Sequence, residues 1–216
     1  MEIAIHLPGV RLGVLEIHGA SVRPTGAGLG EWMDEVCDRK RREFTLESLA
    51  ESDAVRAVRG MFREWDMDPS KYRPASEALL RRVVQGKGLY RVLNAVDIGN
   101  LWSIETGWPL GCYDRAKLLP PVTLRQGAPG EVYEGIGKRI LHLEGRPVLV
   151  DQMGPFGSPI SDSTRTMMTD EALEILVVAY VPTSVPEASL AGALARLAEK
   201  FTCFAAAQET KSNFCP

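Results

Sequence analysis

Apolar residues recur at three-to-four-residue spacing in several stretches of the chain, which places them on one face of a helix. This pattern predicts a helical segment over about 31–66, a helix that begins near Ser76 and ends at Gly86, and a further helix from Asn94 to Glu105. Near the other terminus, the same spacing predicts a helix over about 187–210. That helix either packs on the core or forms a dimer seam, so both a monomer and a homodimer stay open.

The pattern changes to short strand-like runs before and between these helices. Residues 3–7 and 12–22 predict two strands, and a nearly continuous apolar run over 174–181 predicts a buried strand. Runs at 122–125, 131–134, 139–143 and 147–150 are separated by glycine-containing turns. This rhythm is typical of consecutive antiparallel strands, so the second half is predicted to be rich in β-structure.

Composition and charge narrow the classes of protein and of partner. Apolar residues make up 45% of the chain and charged residues 25%, which is ordinary for a folded soluble protein. The net charge of −3 gives no overall attraction to nucleic acid, so any RNA contact requires a local basic patch and DNA is not expected as a partner. No apolar run reaches membrane-spanning length and no signal peptide is evident, so we expect a cytoplasmic protein without a membrane partner.

Metal and redox chemistry are not predicted. The four cysteines are widely spaced and form no CxxC pair, so they are interpreted as reduced thiols. The three histidines lie far apart in the sequence, which does not favour a metal site. We therefore expect neither a metal nor a cofactor.

One stretch, residues 73–118, carries an unusual number of polar residues among apolar ones. At about 100° per residue, Asn94, Asp97 and Asn100 share about a third of the circumference of their helix. The arc lies beside the apolar Leu101 and Ile104, so it is not simply a solvent face. These side chains belong either to a buried hydrogen-bond network or to a ligand pocket, and the sequence leaves both open.

Several short motifs occur in an order and at distances shared with a known family. They are Tyr72-Arg73-Pro74-x-Ser76-Glu77, Gly86-Lys87-Gly88-Leu89, Asn94-Ala95-Val96-Asp97-x-x-Asn100, Pro109-Leu110-Gly111-Cys112-Tyr113-Asp114 and Asp162-Ser163-x-Arg165-Thr166. Over about 10–182, the chain resembles the B3/B4 domain of the phenylalanyl-tRNA synthetase β subunit, and more closely the free-standing B3/B4 proteins of prokaryotes.

The resemblance implies an α+β fold of layered mixed β-sheets flanked by helices. It implies one domain with its core over about 10–182, an inserted helical segment over about 31–66 and the C-terminal helix over about 187–210. In the synthetase this domain is an editing module, whose pocket accepts the 3′ end of a misacylated tRNA and hydrolyses the ester. Here the pocket is expected between the 94–103 helix, the 109–114 turn and the polar loop over 151–166.

The implied pocket supplies candidate residues for each role. The candidate catalytic carboxylates are Asp97, Asp114 and Asp162. The candidate substrate-binding residues are Asn94, Asn100, Gly111, Cys112, Ser161, Thr164, Arg165 and Thr166. The candidate RNA contacts are the basic residues Arg73, Arg81, Arg82, Lys87 and Arg91.

The chain also departs from the synthetase pattern. Gly111 stands where the synthetase carries a histidine, Gly99 replaces a threonine, and the glutamate of the glycine-rich loop has no clear counterpart over 154–161. Three classes of function stay open from the sequence. One is a trans-acting hydrolase of misacylated tRNA, and another is a non-catalytic module that binds RNA, an amino acid or a metabolite. The third is an interaction protein that uses its C-terminal helix.

Overall fold

The computed structural model describes residues 1–137 and 139–215, which form six helices, two four-stranded sheets and a hairpin. The helices are α1 (Ala27–Glu43), α2 (Leu46–Glu51), α3 (Asp53–Glu64), α4 (Ala75–Val84), α5 (Asn94–Thr106) and α6 (Glu187–Ala205). The strands are β1 (Ile3–Ile5), β2 (Val10–His18), β3 (Leu110–Asp114), β4 (Val122–Gln126), β5 (Val132–Gly135), β6 (Arg139–His142), β7 (Pro147–Asp151), β8 (Gly154–Gly157), β9 (Ile175–Pro182) and β10 (Glu209–Cys215).

The central sheet has the strand order β10-β2-β9-β3, and every neighbouring pair is antiparallel. Strand β9 lies in its middle and is buried at all eight positions, as its continuous apolar run predicts. Helices α5 and α6 cover one face of this sheet. On that face the backbone of Gly13 lies so close to α6 that a Cβ there would be 2.9 Å from Leu190.

The second sheet has the order β1-β4-β7-β8, in which β1 and β4 run parallel and the other pairs are antiparallel. Strands β5 and β6 form a separate two-stranded hairpin. The prediction of an α+β fold with layered sheets flanked by helices is confirmed. The expected run of consecutive antiparallel strands is corrected, because β4 pairs with β7 and the β5–β6 hairpin is inserted between them.

Three element boundaries differ from the sequence prediction, each for a local reason. The helical segment expected over about 31–66 is divided a second time at Ser52, whose extended backbone ends α2 and begins α3. Helix α6 stops at Ala205 because Ala206 adopts a left-handed conformation, and the chain then forms β10 on the edge of the central sheet. The polar loop expected after Asp151 contains β8 and a short 3₁₀ helix, Thr164–Thr166.

Within the described ranges, none of the helices combines the length and the apolar character needed to cross a bilayer.

Candidate functional site

Strand β3 presents alternate residues to opposite faces of the central sheet. Cys112 faces α5, because its Sγ lies 3.8 Å from the carbonyl oxygen of Ala95. Gly111 and Tyr113 face the second sheet, where the ring of Tyr113 meets the ring of Phe156 edge-on at a centroid distance of 5.0 Å. Strand β3 therefore separates the environment of α5 from the environment of β8.

On the β8 side, the carboxyl group of Asp162 is held in one orientation. Its Oδ1 accepts a hydrogen bond from the hydroxyl of Tyr113 at 2.8 Å and another from the backbone N–H of Ser158 at 3.2 Å. Its Oδ2 accepts no hydrogen bond from the described residues, and Asp162 keeps partial solvent exposure. Desolvation raises the pKa of Asp162 to about 7, although the bonds from Tyr113 and Ser158 oppose the rise.

Two further tyrosines and a serine surround this carboxyl group, and with Tyr113 and Asp162 they form what we call the Asp162 cluster. The hydroxyl of Tyr133 donates to the carbonyl of Ser161 at 2.5 Å, and the hydroxyl of Ser158 donates to the same oxygen at 2.7 Å. The hydroxyl of Tyr180 is buried and has no hydrogen-bond partner among the described residues.

The chemistry of this cluster follows from its burial. Burial, followed by the charge of Asp162, raises the pKa values of Tyr113 and Tyr180, so both phenols stay protonated near neutral pH. A carboxyl group with a pKa near 7 can accept a proton from water under the same conditions. The cluster thus combines one carboxylate base with protonated hydroxyl donors.

The close packing of Tyr113 explains Gly111, which stands where the synthetase pattern has a histidine. A Cβ on Gly111 would lie 2.0 Å from the Tyr113 hydroxyl oxygen, and a Cβ on Gly157 would lie 2.3 Å from the same atom. The tyrosine side chain fills the space between the two glycines. A larger residue at position 111 and Tyr113 therefore exclude each other.

We expect Gly111→Ala to lower the free energy of unfolding by about 2 kcal/mol, the usual cost of overpacking a core. In a Tyr113→Leu background, where the clashing hydroxyl and ring are absent, the same substitution should cost at least about 1 kcal/mol less. Chemical denaturation of the four proteins measures this coupling. Gly60→Ala is the matched control, since a Cβ there meets nothing within 4 Å and should be neutral or stabilising. Equal costs for Gly111→Ala in both backgrounds would refute the packing argument.

Asn94, a candidate substrate ligand, lies within a buried hydrogen-bond network. Its side-chain amide donates to the carbonyls of Ser21 and Phe204, both at 2.9 Å. Its oxygen accepts from the backbone N–H groups of Arg23 at 3.0 Å and Ala95 at 2.8 Å. All of these groups are on the α5 side of the central sheet, so the structure does not bring Asn94 to Asp162.

Asp97, a candidate catalytic carboxylate, lies beside Asn94 and also has local partners. Its carboxyl group accepts hydrogen bonds from the hydroxyl of Thr25 and from the backbone N–H of Val92. Burial raises its pKa above the ordinary value for an aspartate. Asn100, one turn along α5, is half-buried and makes no side-chain hydrogen bond with the described residues.

Three further candidates, Asp114, Arg165 and Cys112, have local structural roles. Asp114 accepts from the N–H of Ala116 at 3.1 Å and pairs with Lys117, so it caps the short 3₁₀ helix after β3. Arg165 donates to both carboxylate oxygens of Asp151, at 3.2 and 2.8 Å, and braces the turn between β7 and β8. Cys112 is not an activated nucleophile, because burial raises its pKa well above the usual range.

Besides Arg165, three of the candidate substrate ligands lie in the segment that contains Asp162. Ser161 contributes its backbone carbonyl to the Asp162 cluster. Thr164 donates to the carbonyl of Glu134 at 3.2 Å, which ties the segment to the β5–β6 hairpin. The hydroxyl of Thr166 is buried and has no hydrogen-bond partner among the described residues.

The candidate RNA contacts are only partly free to bind phosphate. Arg91 donates to both oxygens of Asp34, at 2.8 and 2.7 Å, and Arg73 lies 3.5 Å from Glu77. The guanidinium of Arg82 stacks over the exposed ring of Tyr90 at 3.9 Å. Three of the five have no carboxylate partner within 4 Å among the described residues, namely Arg81, Arg82 and Lys87.

The structure adds a basic group that the sequence reading missed. The guanidinium of Arg146 lies 4.3 Å from the ring centroid of Tyr72, and the ammonium of Lys71 lies 5.2 Å from it. Neither cation has a carboxylate partner within 4 Å among the described residues. This group adjoins the Asp162 segment, because the N–H of Ala75 donates to the carbonyl of Pro159 at 2.9 Å. Arg146 is 74 residues from Tyr72, so only the fold brings them together.

The described residues include no group of three or more His, Cys, Asp or Glu side chains arranged to hold a metal ion.

Comparison with known proteins gives matches of three kinds. Residues 58–199 match the family described as "B3/4 domain". The chain is 29% identical over 102 residues to the phenylalanine–tRNA ligase beta subunit of Thermobifida fusca (strain YX), a match that spans 46% of this chain and 12% of that subunit. A crystal structure of an N-terminal fragment of the phenylalanyl-tRNA synthetase beta subunit from Pyrococcus horikoshii aligns with a TM-score of 0.44 and 15% identity, covering 56% of this chain and 45% of that one.

Proposed function

The chain belongs to the B3/4 domain family, and from this premise we propose that it binds the aminoacylated 3′ end of tRNA and hydrolyses the aminoacyl ester. The family assignment relates the chain to a domain of the phenylalanine–tRNA ligase beta subunit, a protein of aminoacyl-tRNA synthesis. The matched region spans only 12% of that subunit, so the family membership alone assigns no activity to this chain. Ester hydrolysis is proposed from the geometry of its own residues.

The observation that carries the proposal is the state of Asp162. One carboxylate oxygen is fixed by two donors while the other accepts no hydrogen bond from the described residues, and the pKa is raised to about 7. A general base works best when its pKa is near the operating pH, because it is then both unprotonated and basic enough to remove a proton. With a pKa of about 7, Asp162 is partly unprotonated at neutral pH and is a stronger base than an ordinary aspartate.

In the proposed reaction, Oδ2 of Asp162 takes a proton from a water molecule as that water attacks the ester carbonyl carbon. The Tyr113 hydroxyl holds the carboxylate in place through Oδ1. The hydroxyl of Tyr180 is buried and stays protonated, so it forms a neutral, water-excluding wall of the cluster. The bond from the carbonyl carbon to the ribose oxygen then breaks, and the proton held by Asp162 passes to that oxygen. The products are the free amino acid and the ribose hydroxyl of the tRNA, and Asp162 is again a carboxylate.

The group formed by Lys71, Tyr72 and Arg146 supports the nucleic-acid half of the proposal. The two cations can neutralise phosphates, and the aromatic ring beside them offers a surface for a base to stack on. Ala75, three residues after Tyr72, donates to the carbonyl of Pro159, three residues before Asp162, and this bond links the two segments. The net charge of −3 does not oppose this, because the attraction is local.

The proposal is tested by incubating the protein with a panel of tRNAs charged with cognate and non-cognate amino acids. We expect at least one ester to be lost about 100-fold faster than in buffer, the usual gain from general base catalysis. Uncharged tRNA added in excess should compete, and raising the salt concentration should weaken the reaction. Loss of every ester at the uncatalysed rate would overturn the hydrolase.

A non-catalytic amino-acid-binding module is the second candidate. It is favoured by Gly111, because Tyr113 fills the space at the position where the synthetase pattern carries a polar histidine, so this chain lacks that group. Such a module would be stabilised against thermal unfolding by a free amino acid. Stabilisation without loss of any ester in the panel would decide for this candidate.

A further inference from the structure

A cavity of about 340 Å³ lies between α1, α5 and α6, on the opposite side of the central sheet from the Asp162 cluster. Its floor is apolar and is formed by Ile98 and Leu197, which are fully buried and packed into the core. The indole of Trp102 also lines it and is fixed by a hydrogen bond from its Nε1 to the carbonyl of Ala193 at 2.9 Å. A volume of this order and a pre-formed apolar floor are typical of small-molecule sites.

One wall of the cavity is a second indole, that of Trp32 on α1. It stacks on the ring of Phe204 at a centroid distance of 5.7 Å and an interplanar angle of 9°, which fixes its plane. The ammonium of Lys200 lies 4.5 Å from the centroid of the same indole. The cavity thus offers two fixed aromatic surfaces, to which a flat ligand ring can pack.

The rim of the cavity is positively charged. Arg196 and Lys200 have no carboxylate partner within 4 Å among the described residues, although both line the cavity. Among the described residues of the lining, Glu105 carries the single carboxylate, and it pairs with Arg39 at 2.5 Å. The two cations are therefore uncompensated, and they stand beside an aromatic wall over an apolar floor.

We propose that this cavity binds a flat aromatic molecule that carries a carboxylate or a phosphate. The ring would lie against Trp32 and Trp102 over the apolar floor, and the anionic group would meet Arg196 and Lys200 at the rim. The site is independent of the proposed ester hydrolysis, because the central sheet separates the two. Helix α1, which supplies Trp32, lies outside the segment that matches the family, residues 58–199.

The test measures binding by isothermal titration calorimetry with two aromatic anions, adenosine 5′-monophosphate and indole-3-acetate. The neutral molecules adenosine and indole lack the anion, while phosphate and acetate lack the ring. We expect at least one aromatic anion to bind about tenfold or more tightly than its neutral counterpart, and phosphate and acetate alone to bind weakly or not at all. Binding by the nucleotide alone assigns the site to phosphates, and binding by indole-3-acetate alone assigns it to carboxylates.

The variant Arg196→Gln/Lys200→Gln should weaken that binding by about tenfold or more, because it removes both cations. Both side chains reach solvent, so the variant should retain its fold, which circular dichroism checks. Lys211→Gln, which removes an exposed cation of β10 outside the cavity, is the matched control and should bind as the wild type does. Equal affinity for the neutral molecules, equal affinity in the double variant, or no binding of either aromatic anion at millimolar concentration would each overturn the proposal.

Discussion

Asp162→Asn is expected to slow ester hydrolysis by about 100-fold, which would bring the rate close to that of the uncatalysed reaction. The substitution keeps the shape of the side chain and an oxygen that can accept from Tyr113 and Ser158, but it removes the group that takes the proton. The measurement is kcat/KM for the tRNA ester that the wild type hydrolyses fastest. Asp170→Asn is the matched control, since it changes an exposed aspartate in the same way and should leave the rate unchanged.

The pH dependence separates a base from a merely structural carboxyl group. Only the unprotonated form of Asp162 can take a proton, and its pKa is about 7. The wild-type rate should therefore rise by about tenfold per pH unit well below pH 7 and level off above it. The residual rate of Asp162→Asn should lack this step. A variant that loses activity but keeps the step would show that another group titrates and that Asp162 is not the base.

The fold could be predicted from the sequence where burial produces a clear period. The continuous apolar run of β9 and the helical spacing of α5 both identify elements that lie deep in the core. The α+β class itself was implied by the resemblance to the B3/B4 domain, and the strand-rich second half agreed with it. Edge elements give no such signal. Strand β10 is mostly polar and exposed, and β8 has the sequence Gly154-Pro155-Phe156-Gly157, so neither shows an apolar alternation.

The site could be predicted only in part. The order of the motifs pointed to Asp162 and to the turn before Asp114, and the structure places the Tyr113 hydroxyl against Asp162. It also pointed to Asn94 and Asp97 as members of the same pocket. The helical periodicity of the sequence correctly placed Asn94 and Asp97 on one side of α5. Periodicity cannot show which part of the protein that side of the helix contacts. Here it faces the segment that contains Ser21 and Thr25, while β3 lies between α5 and Asp162.

Asn94→Leu is expected to lower the free energy of unfolding by about 3 kcal/mol, because four hydrogen bonds are lost and backbone groups of the core are left without partners. For a chain of this size such a loss corresponds to a fall in Tm of about 6 to 12 °C. The effect should be large since the side chain joins three distant parts of the chain, the 21–23 segment, the start of α5 and the end of α6. Chemical and thermal denaturation measure it.

Asn100→Leu provides the matched control on the same helix. Asn100 is half-buried and makes no side-chain hydrogen bond with the described residues, so the same chemical change should alter stability by no more than about 0.5 kcal/mol. The comparison decides between the two roles that the polar arc of α5 left open. If Asn94→Leu left stability unchanged and abolished ester hydrolysis, Asn94 would be a substrate ligand and the network would be incidental. If Asn94→Leu lowers the free energy of unfolding more than Asn100→Leu does, Asn94 has a structural role. The catalytic residues are then to be sought on the other side of β3, in the Asp162 cluster.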